Sequence, residues 1–455
     1  MKPTLPNLQS DDISSNINRP FNIGLEGGSC PIGTIPIRRI TKDDLIRRRE
    51  FNVSYGTKPY TTFEGGYKRL LQILVAISLL LSYAKVEARE SLSEVEDLEL
   101  ERQLKLINKP SIKTIKTNYG DVYDCVDFYK QPAFDHPLLQ NHDFHPEMKP
   151  TLSKSRIDAS ASSFERPSKI GLKGDGCPTG TVPIKRLTKE DLIRHRHMQG
   201  MDESRKANGN NISNSKASTS LDDHQPYEYA ETQFPSIDTN IILGGGMIAT
   251  VHAPIVKKDQ FSGARVRLEA GLSDAVELGW IVGGKGCFNT LCPGFVQVNT
   301  EISLGMPFEP SRIGGPVRSQ LMYMEQDTAN GNWWVMLGED YTQVGFWPKG
   351  IFTTLQVHAL GAKYGGIAYS PQGIPEPPMG SGLFPNKNFL ENAYFRKCSF
   401  MCVINDKLQT YSLDQIRTYT FESNINFYRL QDFRDQGDVL GHLIIYGGPG
   451  EVKLM

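Results

Sequence analysis

The C-terminal half of this chain predicts an all-β fold, an antiparallel β-sandwich, and two observations carry the prediction. From about residue 227, short apolar runs (Ile241-Ile242-Leu243, Met247 to Val251, Ala264 to Leu268, Leu443 to Tyr446) are separated by Gly, Pro and Asn. Long stretches of helical period are scarce over the same span, so strands joined by tight turns are the natural reading. A small α+β unit is expected in front of the sandwich.

The elements follow in order. Met1-Lys2-Pro3-Thr4-Leu5 recurs as Met148-Lys149-Pro150-Thr151-Leu152, and Cys30-Pro31-Ile32-Gly33-Thr34 recurs as Cys177-Pro178-Thr179-Gly180-Thr181, at a constant offset of 147. Two copies separated by unrelated sequence exclude a solenoid. Residues 1–66 read instead as a duplicated fragment joined to the front of a complete protein. Within residues 67–88, Lys68-Arg69 precede an apolar run from Leu70 to Tyr83, and Val86-Glu87-Ala88 offers small residues at a cleavage site. That is the layout of a secretory signal peptide, and the run is shorter than the roughly 20 residues a spanning helix needs. Left uncleaved, it would serve as a signal anchor, the chain's one expected contact with a membrane. Secretion to the cell exterior or wall follows as the expected location, where cysteines can be oxidised.

Residues 89–198 supply the α+β unit. Leu92, Val95, Leu98 and Ile107 among Glu and Lys predict an amphipathic helix that Pro110 ends, and strands are expected between Ile112 and Cys125. Thr188-Lys189-Glu190-Asp191 reads as a capping box opening a second helix. Cys125 and Cys177 are a candidate pair. Residues 199–226, rich in Asn, Ser, Lys and Asp, predict a flexible linker, with Asn211-Ile212-Ser213 as a glycosylation sequon. The sandwich occupies 227–455. A net charge of -1 over 455 residues gives no basic field for nucleic acid.

The motifs carrying chemistry are Glu277-Leu278-Gly279-Trp280, the loop Gly286-Cys287-Phe288-Asn289-Thr290-Leu291-Cys292-Pro293-Gly294-Phe295, Gly331-Asn332-Trp333-Trp334, Gly345-Phe346-Trp347-Pro348, Met379-Gly380-Ser381-Gly382 and Tyr446-Gly447-Gly448-Pro449-Gly450. Two cysteines five apart, boxed in by Gly, Asn and Pro, look like a small disulfide staple, Cys287 with Cys292. This ordered set resembles the plant neprosin family, secreted glutamic peptidases that cut next to proline. Residues 120–139 and the second Cys-Pro-x-Gly-Thr-x-Pro-Ile segment resemble that family's activation peptide.

The resemblance implies two antiparallel sheets curving round a substrate groove, a zymogen held by its own activation peptide, a proline-containing peptide or protein as substrate, and no cofactor or metal. It implies a catalytic carboxylate at Glu277, with Trp280 and Tyr364 lining the groove. Such peptidases need two carboxyl groups, one ionised to activate water and one protonated to donate to the leaving nitrogen. The family's second carboxylate follows a Gly-Gly pair, and here that segment is Tyr364-Gly365-Gly366-Ile367. Isoleucine has no proton to give. Glu376, nine residues on, sits in a proline-rich loop that would place it poorly.

Two further departures point the same way. Only Ile281 to Lys285 separate the Glu277 motif from the cysteine loop, where the family has a longer aromatic segment, so a sheet with an open edge is expected. Leu383 replaces a family His, and the closing Cys-Pro is missing, leaving Cys398 and Cys402 as an alternative pair. The expectation is therefore a neprosin-like homologue with hydrolysis impaired or lost. The alternatives are a non-catalytic extracellular protein that binds proline-rich chains and a decaying duplicate.

Other candidates are weaker. His136, His142 and His145, near Asp135 and Asp143, read as a solvated loop rather than a metal site, and Gly244-Gly245-Gly246 lacks the Lys-Ser or Lys-Thr of a phosphate loop. Trp333 and Trp334 are adjacent strand aromatics whose rings should point to opposite faces.

Overall fold

The structure, a computed structural model, describes residues 97–151, 165–168, 171–172, 174, 176–193, 227–235, 241–271, 274–283, 293–404 and 407–451. The repeat fragment, the apolar segment at 67–88, Asn211 with its linker, and the Cys287 and Cys292 loop lie outside the described residues.

The front unit begins with helical backbone over 97–107, ending before Pro110. Strands β1 (Ser111–Lys116) and β2 (Val122–Asp127) follow, then β3 (Glu165–Pro167) and β4 (Thr181–Lys185), of which β1, β2 and β4 make a three-stranded antiparallel sheet in the order β1-β2-β4. Cys125 in β2 is bonded to Cys177, closing a separation of 52 residues. The Thr188 capping box forms: the Asp191 amide donates to Thr188 Oγ1 at 3.3 Å and the Thr188 amide to Asp191 Oδ2 at 3.0 Å. A loop this long makes the disulfide worth about 3–4 kcal/mol through lost freedom of the unfolded chain. Replacing both Cys125 and Cys177 with serine is expected to lower the thermal midpoint by several degrees. An unchanged melting curve would contradict this.

The second unit is a sandwich of β5 (Tyr227–Phe234), β6 (Ile242–Thr250), β7 (Phe261–Ala270), β8 (Asp274–Gly283), β9 (Val296–Gln297), β10 (Val317–Gln326), β11 (Trp333–Leu337), β12 (Thr342–Trp347), β13 (Gly361–Tyr369), β14 (Ala393–Ile404), β15 (Lys407–Ser412), β16 (Tyr419–Glu422), β17 (Arg429–Asp435) and β18 (His442–Gly447). The larger sheet runs β17-β18-β14-β6-β10-β11-β12-β9, with β15 on β14 and β3 on β10. The smaller runs β16-β5-β13-β7-β8. The sandwich is all-β, as the sequence predicts, with antiparallel pairing throughout except where β3 joins β10 in parallel.

Two apolar runs read as separate strands are one. β6 continues through Gly244-Gly245-Gly246 because neighbours press against all three: an added Cβ would lie 2.8 Å from the Met324 carbonyl oxygen at Gly244, 2.8 Å from the Tyr364 hydroxyl at Gly245 and 2.4 Å from the Tyr323 ring at Gly246. Glycine is what lets this central strand be covered closely on both faces.

The inner faces of the two sheets share one core, including Met247, Val266, Leu268, Leu278, Trp280, Trp333, Tyr364, Phe395 and Tyr446. The outer face of the larger sheet is covered by the front unit. Val126, Phe128, Val182 and Ile184 pack there against Ile248, Leu321, Tyr323, Trp334 and Phe346. Adjacent Trp333 and Trp334 divide between these two cores, both fully buried. Side-chain alternation along β11 thus glues three layers together. Gln131 and Gln297 add a reciprocal clamp between the units, the Gln297 amide donating to Gln131 Oε1 at 2.8 Å and Gln131 Nε2 to the Gln297 carbonyl at 3.2 Å.

Candidate active site

Alternation along β8 turns Val276, Leu278 and Trp280 into the core and leaves Glu277 and Gly279 on the outer face of the smaller sheet. That face is built by register. Gln233, Lys363, Arg267 and Glu277 form one row across β5, β13, β7 and β8, and Glu231, Gly365, Arg265 and Gly279 form the next. In the row beyond lie Tyr229, Ile367, Gly263 and Ile281.

Glu277 is held by arginines. Arg267 Nη1 lies 2.5 Å and Arg265 Nη1 3.4 Å from its Oε1. Arg265 also reaches Glu231 Oε2 at 3.6 Å, so one guanidinium bridges two carboxylates. Gln233 Nε2 donates to Glu231 at 2.8 Å, Arg267 Nε pairs with Glu269 at 2.9 Å, and Lys363 Nζ with Glu269 at 3.1 Å. Burial pushes Glu231 above the ordinary carboxylate range, although Arg265 and Lys363 pull the other way. Burial also opposes ionisation of Glu269, but Arg267 and Lys363 hold it below that range.

Ile367 shares this face but not this row. Four residues along the strand and two strand spacings separate its position from that of Glu277, roughly 16 Å between Cα atoms. It packs with Phe261 and Tyr369, flanked by Tyr227, Tyr229 and Ile281. The structure therefore brings Glu277 together with Arg265 and Arg267, not with the Gly-Gly segment. Among the described residues β8 has no strand beyond it, the open edge expected from the short connection to the cysteine loop.

Two groove residues are corrected. Trp280 and Tyr364 lie on the inner face, opposite to Glu277, and are buried in the shared core. The Trp280 indole donates to the Thr250 carbonyl at 2.9 Å and the Tyr364 hydroxyl to the Ser399 carbonyl at 2.6 Å, so both are struts between the sheets. The reason is spacing: Glu277 and Trp280 are three apart on a strand, which puts them on opposite faces. Cys398 and Cys402 are likewise not a pair but two free buried thiols, about 13 Å apart along β14 where a disulfide needs Cα atoms within about 7 Å.

Sequence reasoning missed Arg265, Arg267, Glu269, Glu231 and Lys363. Their signal was present in the alternation Ala264-Arg265-Val266-Arg267-Leu268-Glu269, which writes a charged outer face as clearly as an apolar inner one. Tyr419 and Phe421 on β16 extend the same face with exposed aromatic rings.

Glu376 belongs elsewhere. It is buried beside Glu228, Glu451 and Tyr428, and burial, then those carboxylates, push it up to about 8. Buried His252 is pushed down to about 4 by desolvation. The folded state holds an extra proton on Glu376 between about pH 4.5 and 8, so that group's stabilisation is lost as pH rises through this window. His252 works in the opposite sense, its stabilisation lost as pH falls from about 6.5 to 4. The contributions of these two groups oppose each other between about pH 4.5 and 6.5. From pH 6.5 to 8 a loss of about 1–2 kcal/mol is expected, allowing for screening by solvent. Glu376→Gln should remove that alkaline loss in thermal melts taken across pH; a melting temperature still falling equally in the variant would refute the assignment.

Comparison with known families decides the identity. The neprosin family model matches residues 282–449, and the neprosin activation peptide model matches residues 114–233. The chain belongs to the neprosin family. The first match begins five residues beyond Glu277, and the second runs into β5 as far as Gln233, past Glu231. The activation peptide match thus takes in most of the front unit, which packs on the outer face of the larger sheet, away from the Glu277 face. A solved structure, described as the crystal structure of Scytalido-glutamic peptidase with a peptide based transition state analog, is similar over 50% of this chain and 98% of that one, at 11% identity and a TM-score of 0.27, too distant to carry an argument.

Proposed function

We propose that this chain is a secreted neprosin-family glutamic-peptidase homologue in which peptide hydrolysis is lost or strongly impaired. The carrying observation is the pairing of Glu277. Its carboxylate meets two guanidiniums, and the position assigned to a second carboxylate holds Ile367 in another row. Water activation needs a carboxylate free to accept a proton, and amide cleavage needs an acid to give one to the leaving nitrogen. Arg265 and Arg267 occupy the Glu277 oxygens that a water would have to meet, and Ile367 cannot do the second.

What the face retains suits holding an extended chain. Tyr229, Tyr419 and Phe421 offer flat apolar surface, on which proline rings pack well, beside a charged ladder that can meet peptide groups. A proline-containing peptide or protein remains the proposed ligand, with the cell exterior as its location.

A second reading rests on Glu231. Burial leaves it above the ordinary carboxylate range, and it shares Arg265 with Glu277, so two carboxylates bridged by one guanidinium lie on this face. Residual hydrolysis would run through that pair. The test is cleavage of a proline-containing peptide by the acid-treated protein, compared with Glu277→Gln and Glu231→Gln. The leading reading predicts equal, background rates in all three, whereas turnover lost in both variants would favour the second.

A further inference from the structure

Among the contacts of the activation peptide with the larger sheet is one buried carboxylate. β3 lies parallel to the start of β10, with Glu165 opposite Val317, Arg166 opposite Arg318 and Pro167 opposite Ser319, and the Ser168 amide donates to the Ser319 carbonyl at 2.8 Å. At its head Glu165 enters a closed well. Arg396 Nε donates to both carboxylate oxygens at 2.9 Å, and Arg396 Nη2 lies 2.8 Å from Oε2. Tyr394 Oη donates to Oε1 at 2.8 Å and Ser319 Oγ to Oε2 at 2.9 Å. The side chains of Arg396 and Glu165 are 1% and 0% exposed. No part of this well touches the Glu277 face.

The tandem repeat contains a natural contrast. At the constant offset of 147, Arg166-Pro167 corresponds to Arg19-Pro20 and Ile170-Gly171-Leu172 to Ile23-Gly24-Leu25, but Glu165 corresponds to Asn18. The two copies keep the Arg-Pro sequence and differ in the one group the well reads. Asparagine is shorter by one carbon and carries no charge. Opposite Arg396 it would leave a buried guanidinium without its counter-charge, which is strongly unfavourable.

We propose that the β10 edge and the Arg396 well form a strand-addition site that selects an extended peptide by a single carboxylate, admitting the Glu165 copy and refusing the Asn18 copy. Backbone pairing along β10 supplies affinity that any extended chain could share, while Arg396, Tyr394 and Ser319 supply the choice. The ligand class is an extended peptide that presents one glutamate to the well, and the chain's own activation peptide is its resident occupant. The inference does not depend on hydrolysis at Glu277.

The test uses the full chain with residues 165–168 replaced by Gly-Ser-Gly-Ser, which opens the site, and labelled peptides added in solution. A peptide of residues 162–170 should bind, and the same peptide with Glu165→Gln and a peptide of residues 15–23 should each bind at least tenfold more weakly in fluorescence anisotropy. Equal affinity for all three, or no binding to a chain that keeps its cooperative thermal transition, overturns the proposal. Should the replaced chain not fold, full-length Glu165→Gln is read instead by hydrogen exchange. The amides of residues 317–319 and Ser168 should then exchange at least tenfold faster than in the parent, and unchanged exchange overturns it.

Discussion

Arg396→Leu is expected to lower stability by about 3–5 kcal/mol, among the largest effects of any single replacement in this chain. The reason is what stays behind. Glu165 is fully buried with Arg396 as its ion-pair partner, and the hydroxyls of Tyr394 and Ser319 alone cannot offset a carboxylate taken out of water. A double replacement, Glu165→Leu with Arg396→Leu, should recover most of the loss, because removing both charges leaves only the Tyr394 and Ser319 hydroxyls and the Val439 carbonyl to find new partners. Chemical denaturation of the parent, both single variants and the double variant measures the coupling directly. Additive losses would show that the pair is incidental.

Ile367→Glu is the second large expectation, and its sign is less intuitive. On sequence grounds it restores a missing catalytic carboxylate. In the structure it inserts a carboxyl group among Phe261, Tyr369, Tyr227, Tyr229 and Ile281, two strands and four residues from Glu277. The cost should be about 2 kcal/mol or more at neutral pH, smaller in acid where the group is protonated. No gain in peptide cleavage is expected from this change alone. A variant that cuts a proline-containing peptide at acid pH would show that the two positions approach each other more closely than this register allows.

The same local rules made some features legible and hid others. The Thr188 capping box, the β-rich sandwich and the division of Trp333 and Trp334 between opposite faces follow from local pattern, because capping and period-2 alternation need only a few neighbouring residues. Cys125 and Cys177 were legible as candidates, and the fold brings them together across 52 residues. The groove assignment of Trp280 failed although alternation from Glu277 already contained the answer. Tyr364 failed with it, since the Tyr-Gly-Gly-Ile run places the tyrosine and isoleucine on opposite faces. The Arg265 and Arg267 ladder was written in β7, but only register between β5, β13, β7 and β8 shows which charges meet. Glu165 was invisible for a deeper reason: its partner, Arg396, is 231 residues away, and no local pattern marks a lone glutamate as buried.

The central claim is that the Glu277 face no longer performs two-carboxylate hydrolysis. It is tested most directly by incubating the acid-treated full chain with a quenched fluorescent peptide containing proline, from pH 2 to 6, beside its Glu277→Gln variant. The account predicts the same background rate from both proteins at every pH. Turnover by the parent that disappears in Glu277→Gln would contradict it.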